Sequence, residues 1–287
     1  MSQVQLLKSN SQNPQHYTLQ FNQFLAKKPS CKFNNSLSHS DFIEAVKDRI
    51  KQPHLINQEH VYLCGPNAFF YCIASKYPNY YAKYMLDLWT LGQAYLGKLH
   101  VKPSQACLNT KMNSRKIAPV DWISLASLCD SSNSFFNFDD LDDAIGGITF
   151  PGDMADWFRK TLFNSVENNT SISHRASFDN LKKAQRLYGA NKSVCFLISA
   201  KMMTLPIKLN AVPNHWVVLT SNILVDGKSI NHIQSSDLDS YLDKKISLHA
   251  ATWGRENGKV PLHIFNRKEH LTLGDFMTYY YGFVAAS

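Results

Sequence analysis

The hydrophobic pattern changes between the two halves of this 287-residue chain. Up to about residue 160, bulky residues recur three and four positions apart, as in Tyr81, Met85 and Leu88, which is the spacing of one helix face. From residue 193 onward the apolar residues form short β-branched or aromatic runs separated by polar turns. Helices followed by strands are typical of an α+β fold, so we predict an N-terminal helical half packed on a C-terminal antiparallel β-sheet.

The predicted elements are bounded by start and stop signals such as Pro near a helix start and Gly after its end. The predicted helices cover 40–50, a segment opening at residue 64, 77–97 with its stop at Gly97, 118–130, 151–163 and 272–280. The predicted strands cover 193–200, 215–225, 229–233, 245–254 and 260–265, and the apolar tail 281–287 is expected to pack back on the sheet. Residues 1–40, rich in Asn, Gln and Ser, are predicted to be a partly ordered lead-in to one domain at 41–287.

Composition narrows the classes of protein to consider. The six cysteines show no paired spacing, which argues against a disulfide framework and a zinc ribbon and favours a reducing compartment. We predict no signal peptide and no membrane span, because the chain has no apolar run of sufficient length. The formal charge of +8 comes from scattered Lys and Arg, so nucleic acid is not a favoured partner.

Metal and cofactor motifs are not found in the sequence. It has no glycine-rich phosphate loop, no HExxH pair and no CxxC knuckle. The acidic stretch at 137–147 lacks the alternating ligands and closing Glu of a calcium loop, and is interpreted as a solvated helix start. We therefore predict neither a metal nor a cofactor.

A cysteine stands where a buried helix is predicted to begin, in the stretch EHVYLCGPNAFFYC at residues 59–72. Pro66 fits the first turn of a helix, where its missing N–H costs nothing, and so places Cys64 at or just before the helix start. Unpaired N–H groups and the helix dipole at that end stabilise a thiolate, the nucleophilic form. Cys64 is therefore the candidate nucleophile, and the other cysteines are interpreted as small buried residues.

Two further residues complete a candidate constellation. Gln58, six residues before Cys64, carries an amide that together with the Cys64 backbone N–H is a candidate oxyanion hole. His215 opens an apolar strand, where it can take a proton from the thiol and later protonate a leaving amine. Without the other candidate residues, His215 could equally be interpreted as a structural histidine at a sheet edge, either capped or facing solvent. His60 lies nearer Cys64 in sequence, but a base four residues away on the entry loop is a less usual arrangement.

These residues resemble papain-like cysteine peptidases, including their bacteriocin-processing branch. The matching pieces, in the family's order, are Gln58, Cys64, His215 and the stretch ATWG at 251–254, which is similar to the Asn-Ser-Trp-Gly stretch of papain relatives. The nearer likeness, in LCGPNAFFYC, NHWVVLTS and YYYGFVAA, is to bacterial toxin domains of this fold that specialised secretion systems deliver into other cells.

One position departs from the family pattern. Ala251 stands where papain relatives carry the Asn that orients the imidazole. The third member of the site is then Asn231 or Asp226, of which Asn231 is the candidate on a neighbouring strand, or the site works as a dyad. An ordinary strand or turn residue is the alternative interpretation of Asn231. Trp253 is expected to shield the imidazole from water.

The resemblance implies a thiol protease made in the bacterial cytoplasm and delivered to a recipient cell's cytoplasm, where it cleaves a protein. It also implies a cognate immunity protein, for which the basic charge suggests an acidic face. Amidases, deamidases, transglutaminases and acyltransferases use the same constellation and remain open as alternatives. So does a binding module that keeps the fold without activity.

Overall fold

The computed structural model describes residues 14–34, 37–59, 61–111, 117–132, 149–203, 212–254, 260–261 and 271–287. These residues form an α+β fold, as the change of hydrophobic pattern predicts, and they divide into two compact units. The first unit comprises 1–149 with 160–162, and the second comprises 150–159 with 163–287. The acidic stretch 137–147, His60 and most of the predicted strand 260–265 lie outside the described residues.

The first unit consists mainly of helices. In chain order they are α1 (Pro14–Lys27), α2 (His39–Lys51), α3 (Cys64–Lys76), α4 (Pro78–Leu91), α5 (Gln105–Asn109), α6 (Pro119–Asp121) and α7 (Ser127–Ser132). A π-helix at Trp122–Ala126 joins α6 to α7, and the strands β1 (Ala94–Leu96) and β2 (Leu99–Val101) form a hairpin after α4. Helix α1 lies inside the segment 1–40.

Helix α3 is the central helix of this unit. Ten of its 13 residues are buried, because its sequence is apolar on every side rather than along one stripe. Among them Phe70 packs on Tyr84 of α4, with ring centroids 4.9 Å apart. The Cys64 end of α3 is thus fixed in the core, since every residue from Cys64 to Phe70 is buried.

Helix α4 ends earlier than the sequence predicts. Its last turn closes at Gly92, which has a left-handed φ of 68° and donates its N–H to the Leu88 carbonyl. Glycine reaches this conformation without the steric cost of a Cβ, and so it ends the helix. The predicted stop at Gly97 was wrong, since Gly97 lies in the turn of the β1–β2 hairpin.

The second unit is built on antiparallel strands. They are β3 (Val166–Thr170), β4 (Ser193–Ile198), β5 (His215–Leu219), β6 (Leu224–Val225), β7 (Lys228–Ser229), β8 (Ile246–Ser247), β9 (His249–Ala251), β10 (Val260–Pro261) and β11 (Tyr280–Ala286). Six of them form a sheet in the order β10-β9-β5-β4-β11-β3, and β7-β6-β8 form a second sheet. The helices are α8 (Pro151–Lys160), α9 (Phe178–Gly189) and α10 (Leu273–Tyr279).

The C-terminal residues have a larger role than the sequence predicts. The apolar tail is the strand β11, which lies inside the sheet between β4 and β3. All seven of its residues are buried, and a continuous apolar run of this kind is typical of a strand covered on both faces. Its neighbour β3 has the polar sequence VENNT, which gave no strand signal.

Candidate active site

Cys64 is the first residue of helix α3, as predicted, and its side chain is 5% exposed. The helix begins with the N–H of Asn67 bonded to the Leu63 carbonyl at 2.9 Å. Gly65 follows directly, and a Cβ at Gly65 would lie 2.1 Å from Oγ1 of Thr149. Only glycine therefore fits beside Cys64. All six cysteines lie within the described residues, and none of them forms a disulfide bond.

Gln58 lies in the tight turn that leads into Cys64. Its Nε2 donates to the Val61 carbonyl at 3.0 Å, and its own carbonyl accepts the Val61 N–H at 3.2 Å. The residue is 5% exposed, and its Oε1 has no hydrogen-bond partner among the described residues. Because an amide NH₂ carries two hydrogens, one remains for an oxyanion after the bond to Val61.

The residues on either side of Gln58 bond to each other. The Glu59 N–H donates to Asn57 Oδ1 at 2.8 Å, and Asn57 Nδ2 donates to Glu59 Oε1 at 2.5 Å. Glu59 has a left-handed φ of 52°, which costs a non-glycine residue about 1–3 kcal/mol. The two hydrogen bonds hold Glu59 in that conformation, and Gln58 is fixed between them.

His215 begins strand β5, as predicted. Just before it, Asn214 donates its N–H to the Ile198 carbonyl at 3.1 Å and accepts the Ala200 N–H on Oδ1 at 2.8 Å. These bonds fix the start of β5 against the end of β4. His215 is 3% exposed, and this burial lowers its pKa to about 4. Its imidazole is therefore neutral in the folded protein near pH 7.

Thr252 contacts the His215 imidazole, with Nε2 and Oγ1 2.9 Å apart. The register of β5 and β9, in which Leu219 faces Ala250 and Val218 faces Ala251, explains the contact. When this pairing is continued by one residue, Thr252 lies opposite Val217. Val217 and His215 point to the same face of the sheet, so Thr252 lies diagonal to His215 on that face. Ala251 points to the other face of the sheet, and an Asn at this position would do the same.

Trp253 holds the same imidazole from a second direction. Its ring stacks on His215 with centroids 4.6 Å apart and an interplanar angle of 27°, as expected for a shielding residue. Neighbouring side chains on a strand point to opposite faces, yet Thr252 and Trp253 both reach His215. The chain leaves the strand conformation here, since Trp253 has φ 51° and Gly254 has φ 57°. This turn allows two consecutive residues to contact one imidazole.

The candidates for a third member lie elsewhere. Asn231 is exposed on a 3₁₀ turn at Ile230–His232, not on a strand beside β5, so this part of the prediction was wrong. Asp226 is exposed in the turn between β6 and β7. Within the described part of the chain, no hydrogen bond joins either residue to His215. The sheet that carries β5 brings Thr252 to the imidazole instead.

Thr252 was missed because a lone threonine carries no catalytic signal in a sequence. The ATWG stretch was the only available sign, and there the comparison with papain relatives drew attention to Ala251 rather than to the next residue. The contact depends on strand register, which the sequence alone does not reveal.

Comparisons with known proteins give no assignment: no family model, no curated protein and no solved structure matches this chain. Across the described ranges, no group of three His, Cys, Asp or Glu side chains is placed to hold a metal ion. In the same ranges, no helix has the length and apolar character needed to cross a membrane.

Proposed function

We propose that this chain is a papain-like cysteine hydrolase in which Cys64 is the nucleophile and His215 the base. The observation that carries the proposal is the setting of His215. A buried, neutral imidazole is bonded through Nε2 to Thr252 and covered by Trp253. A histidine that served only to fill the core would not need two specific contacts from a strained turn.

The proposed reaction is acyl transfer through a thioester. The Cys64 sulfur attacks a substrate carbonyl as its proton passes to Nδ1 of His215, while Nε2–H donates to Thr252. The tetrahedral intermediate breaks its C–N bond, and the imidazolium gives the proton to the leaving amine. Water, deprotonated by His215, then attacks the thioester, which releases the acid and restores the thiol.

Two features of the first unit support these steps. The N-terminus of the 13-residue helix α3 favours the thiolate of Cys64 through its dipole and N–H groups. The second amide hydrogen of Gln58, with the Cys64 backbone N–H, would stabilise the oxyanion, and one such donor typically contributes about 100-fold or more in rate.

We further propose that the substrate is a protein in a recipient cell, with a specialised secretion system as the route. The sequence resemblance to secreted bacterial toxin domains supports both points. A cognate immunity protein with an acidic face would suit the formal charge of +8. Its gene should lie beside the gene for this chain.

The order of thiol reactivity tests the proposal. Cys31 is more exposed than Cys64, so alkylation by iodoacetamide that followed exposure alone would label Cys31 first. We expect Cys64 to react first, as mapped by peptide mass spectrometry, and Cys31→Ala to leave its rate unchanged. Faster labelling of Cys31 would count against an activated Cys64.

The pairing of nucleophile and base is tested with dibromoacetone, which alkylates a thiol and then an imidazole within its reach. We expect a covalent bridge between Cys64 and His215, absent from His215→Asn. A Cys64 that is alkylated without bridging would remove His215 as the base. Incubation with candidate target proteins then distinguishes cleavage, which gives fragments, from deamidation, which leaves an intact chain of slightly changed mass.

A further inference from the structure

A second buried amide stands near the start of α3 and has no part in the chemistry proposed above. Asn67 is 6% exposed, and its backbone N–H donates to the Leu63 carbonyl at 2.9 Å as a normal helical bond. Its side-chain oxygen Oδ1 is buried and has no hydrogen-bond partner among the described residues. A buried polar atom without a partner costs stability, so its presence here points to a ligand.

Helix geometry places Asn67 next to the candidate nucleophile. Cys64 and Asn67 are three positions apart in α3, so their side chains lie on one face of the helix with Cβ atoms about 5–6 Å apart. Side chains on a helix lean toward its N-terminus, and each one therefore covers the turn before its own Cα. For Asn67 this is the turn that begins at Cys64. The amide is thus directed to the end of the helix where the thiol lies.

The face of α3 that carries Cys64 and Asn67 leads toward solvent. Tyr71 and Ser75, seven and eleven positions after Cys64, continue this face. Tyr71 is half-buried and Ser75 is exposed, and the only other residue of α3 that is not buried is Lys76 at its end. A substrate that approaches the thiol along this face therefore passes the Asn67 amide.

The partner missing at Asn67 is a hydrogen-bond donor, because an amide oxygen only accepts. Gln58, the buried amide ahead of Cys64, supplies the opposite group: its Nε2 donates to the Val61 carbonyl at 3.0 Å and keeps a hydrogen for the oxyanion. A peptide substrate fits both amides. Its attacked carbonyl needs a donor, and the backbone N–H on the neighbouring α-carbon needs an acceptor.

We infer that Asn67 is a substrate-binding residue whose Oδ1 accepts the backbone N–H of the residue that supplies the attacked carbonyl. This role rests on the proposed function, in which Cys64 is the nucleophile. A site that hydrogen-bonds a substrate N–H rejects an analogue without it, because its own buried acceptor then stays unpaired. The substrate is thereby restricted to peptide-like acyl groups, and fatty acyl groups or a proline at this position are excluded.

Two alkylating reagents of the same shape test the inference in the full chain. Chloroacetamide has N–H groups on the carbon next to the one that reacts, and chloroacetone has a methyl group in their place. The ratio of their rates at Cys64, measured by mass spectrometry and divided by the same ratio for glutathione, reports the N–H contact separately from thiol reactivity. We expect this normalised ratio to favour chloroacetamide about 10-fold, as is typical of one hydrogen bond.

Asn67→Leu removes the amide and keeps a side chain of nearly the same shape. We expect its ratio to fall to that of glutathione with the chloroacetone rate unchanged, because only the N–H loses its acceptor. Asn79→Leu makes the same substitution at a buried Asn of α4, beyond the C-terminal end of α3, and is the matched control with the wild-type ratio. The wild-type ratio needs no variant, so the test stands even if Asn67→Leu does not fold.

The stability of Asn67→Leu separates substrate binding from a structural role. Because Oδ1 lacks a partner in the described free protein, the midpoint of urea denaturation should not fall below that of the wild type. A lower midpoint would show that the amide supports the fold and would overturn the inference. Fast reaction of Cys64 with both reagents in the glutathione ratio overturns the inference alone, whereas no reaction with either reagent overturns the proposed function and the inference with it.

Discussion

The two units hold their buried polar groups in opposite ways. In the first unit, the fully buried Asp121 forms an ion pair with Arg49, in which Nη2 and Oδ2 are 2.7 Å apart. In the second, His215 is held by a hydroxyl and an indole ring, and no charged group bonds to it in the described part of the chain. A buried ion pair fixes the geometry of its two side chains, and the loss of one partner strongly lowers the free energy of unfolding. Neutral contacts allow a side chain to change its protonation state.

The neutral setting suits the role proposed for His215. A general base has to gain and lose a proton, and a carboxylate beside His215 would raise its pKa and favour the charged form. Changes to the charged pair should therefore affect stability more than changes to the neutral contacts of His215.

Removal of one partner of the ion pair should have the largest effect. We expect Asp121→Ala to lower the free energy of unfolding by about 3–5 kcal/mol, because it leaves the Arg49 charge buried without its partner. Urea denaturation monitored by circular dichroism measures the change. Asp87→Ala, which breaks the ion pair of Asp87 with the exposed Lys83 on α4, is the control and should cost less than about 1 kcal/mol. If Asp121→Ala and Asp87→Ala lower the free energy of unfolding equally, the buried ion pair contributes no more to stability than the exposed one.

Acid should weaken the second unit through His215. Burial lowers the folded-state pKa from 6.5 to about 4, so the unfolded chain binds a proton that the folded chain does not bind over that range. The stabilising contribution of the neutral histidine is therefore fully present above pH 6.5 and is lost as the pH falls toward 4. This loss lowers the free energy of unfolding by up to about 3 kcal/mol.

The measurement is the free energy of unfolding against pH for the wild type and His215→Asn. Between pH 6.5 and 4, the free energy of unfolding of His215→Asn should fall less than that of the wild type. His232→Asn changes an exposed histidine and should follow the wild-type curve. Parallel curves for the wild type and His215→Asn would mean that the imidazole is not held neutral.

Removal of the covering indole should have a smaller effect. We expect Trp253→Ala to cost about 1 kcal/mol through the lost ring contact and to raise the His215 pKa toward 6.5, because water then reaches the imidazole. An NMR titration of the imidazole protons measures the pKa. An unchanged pKa would show that the remaining core, rather than the indole, keeps the imidazole dry.

Loss of the Thr252 hydroxyl should cost no more stability than loss of the indole, and it should have a specific effect on the imidazole. We expect Thr252→Val to cost about 1 kcal/mol, since a buried ring nitrogen loses its partner. Nitrogen chemical shifts should show a mixture of the two tautomers in place of one. Thr252→Ser keeps the hydroxyl and should restore the wild-type spectrum. A single unchanged tautomer in Thr252→Val would remove Thr252 from its orienting role.

The α+β class and the start of the helix at Cys64 could be predicted from the sequence alone. Both follow from local signals, namely the spacing of apolar residues and the presence of Pro66 in the first turn. The sequence also indicated that His215 begins a strand, because polar residues precede an apolar run. The tail at β11 was recognised as apolar but not as an inner strand, since one apolar run does not reveal its position in a sheet.

The residues that contact the buried polar groups could be identified only in the folded chain. Thr252 reaches His215 through the pairing of β5 with β9, and Asp121 bonds to Arg49, which lies 72 residues earlier in the chain. Neither Thr252 nor Asp121 differs in local pattern from its neighbours in the sequence. Such partners are selected by register and packing between distant segments, which are properties of the folded chain and have no counterpart in local spacing.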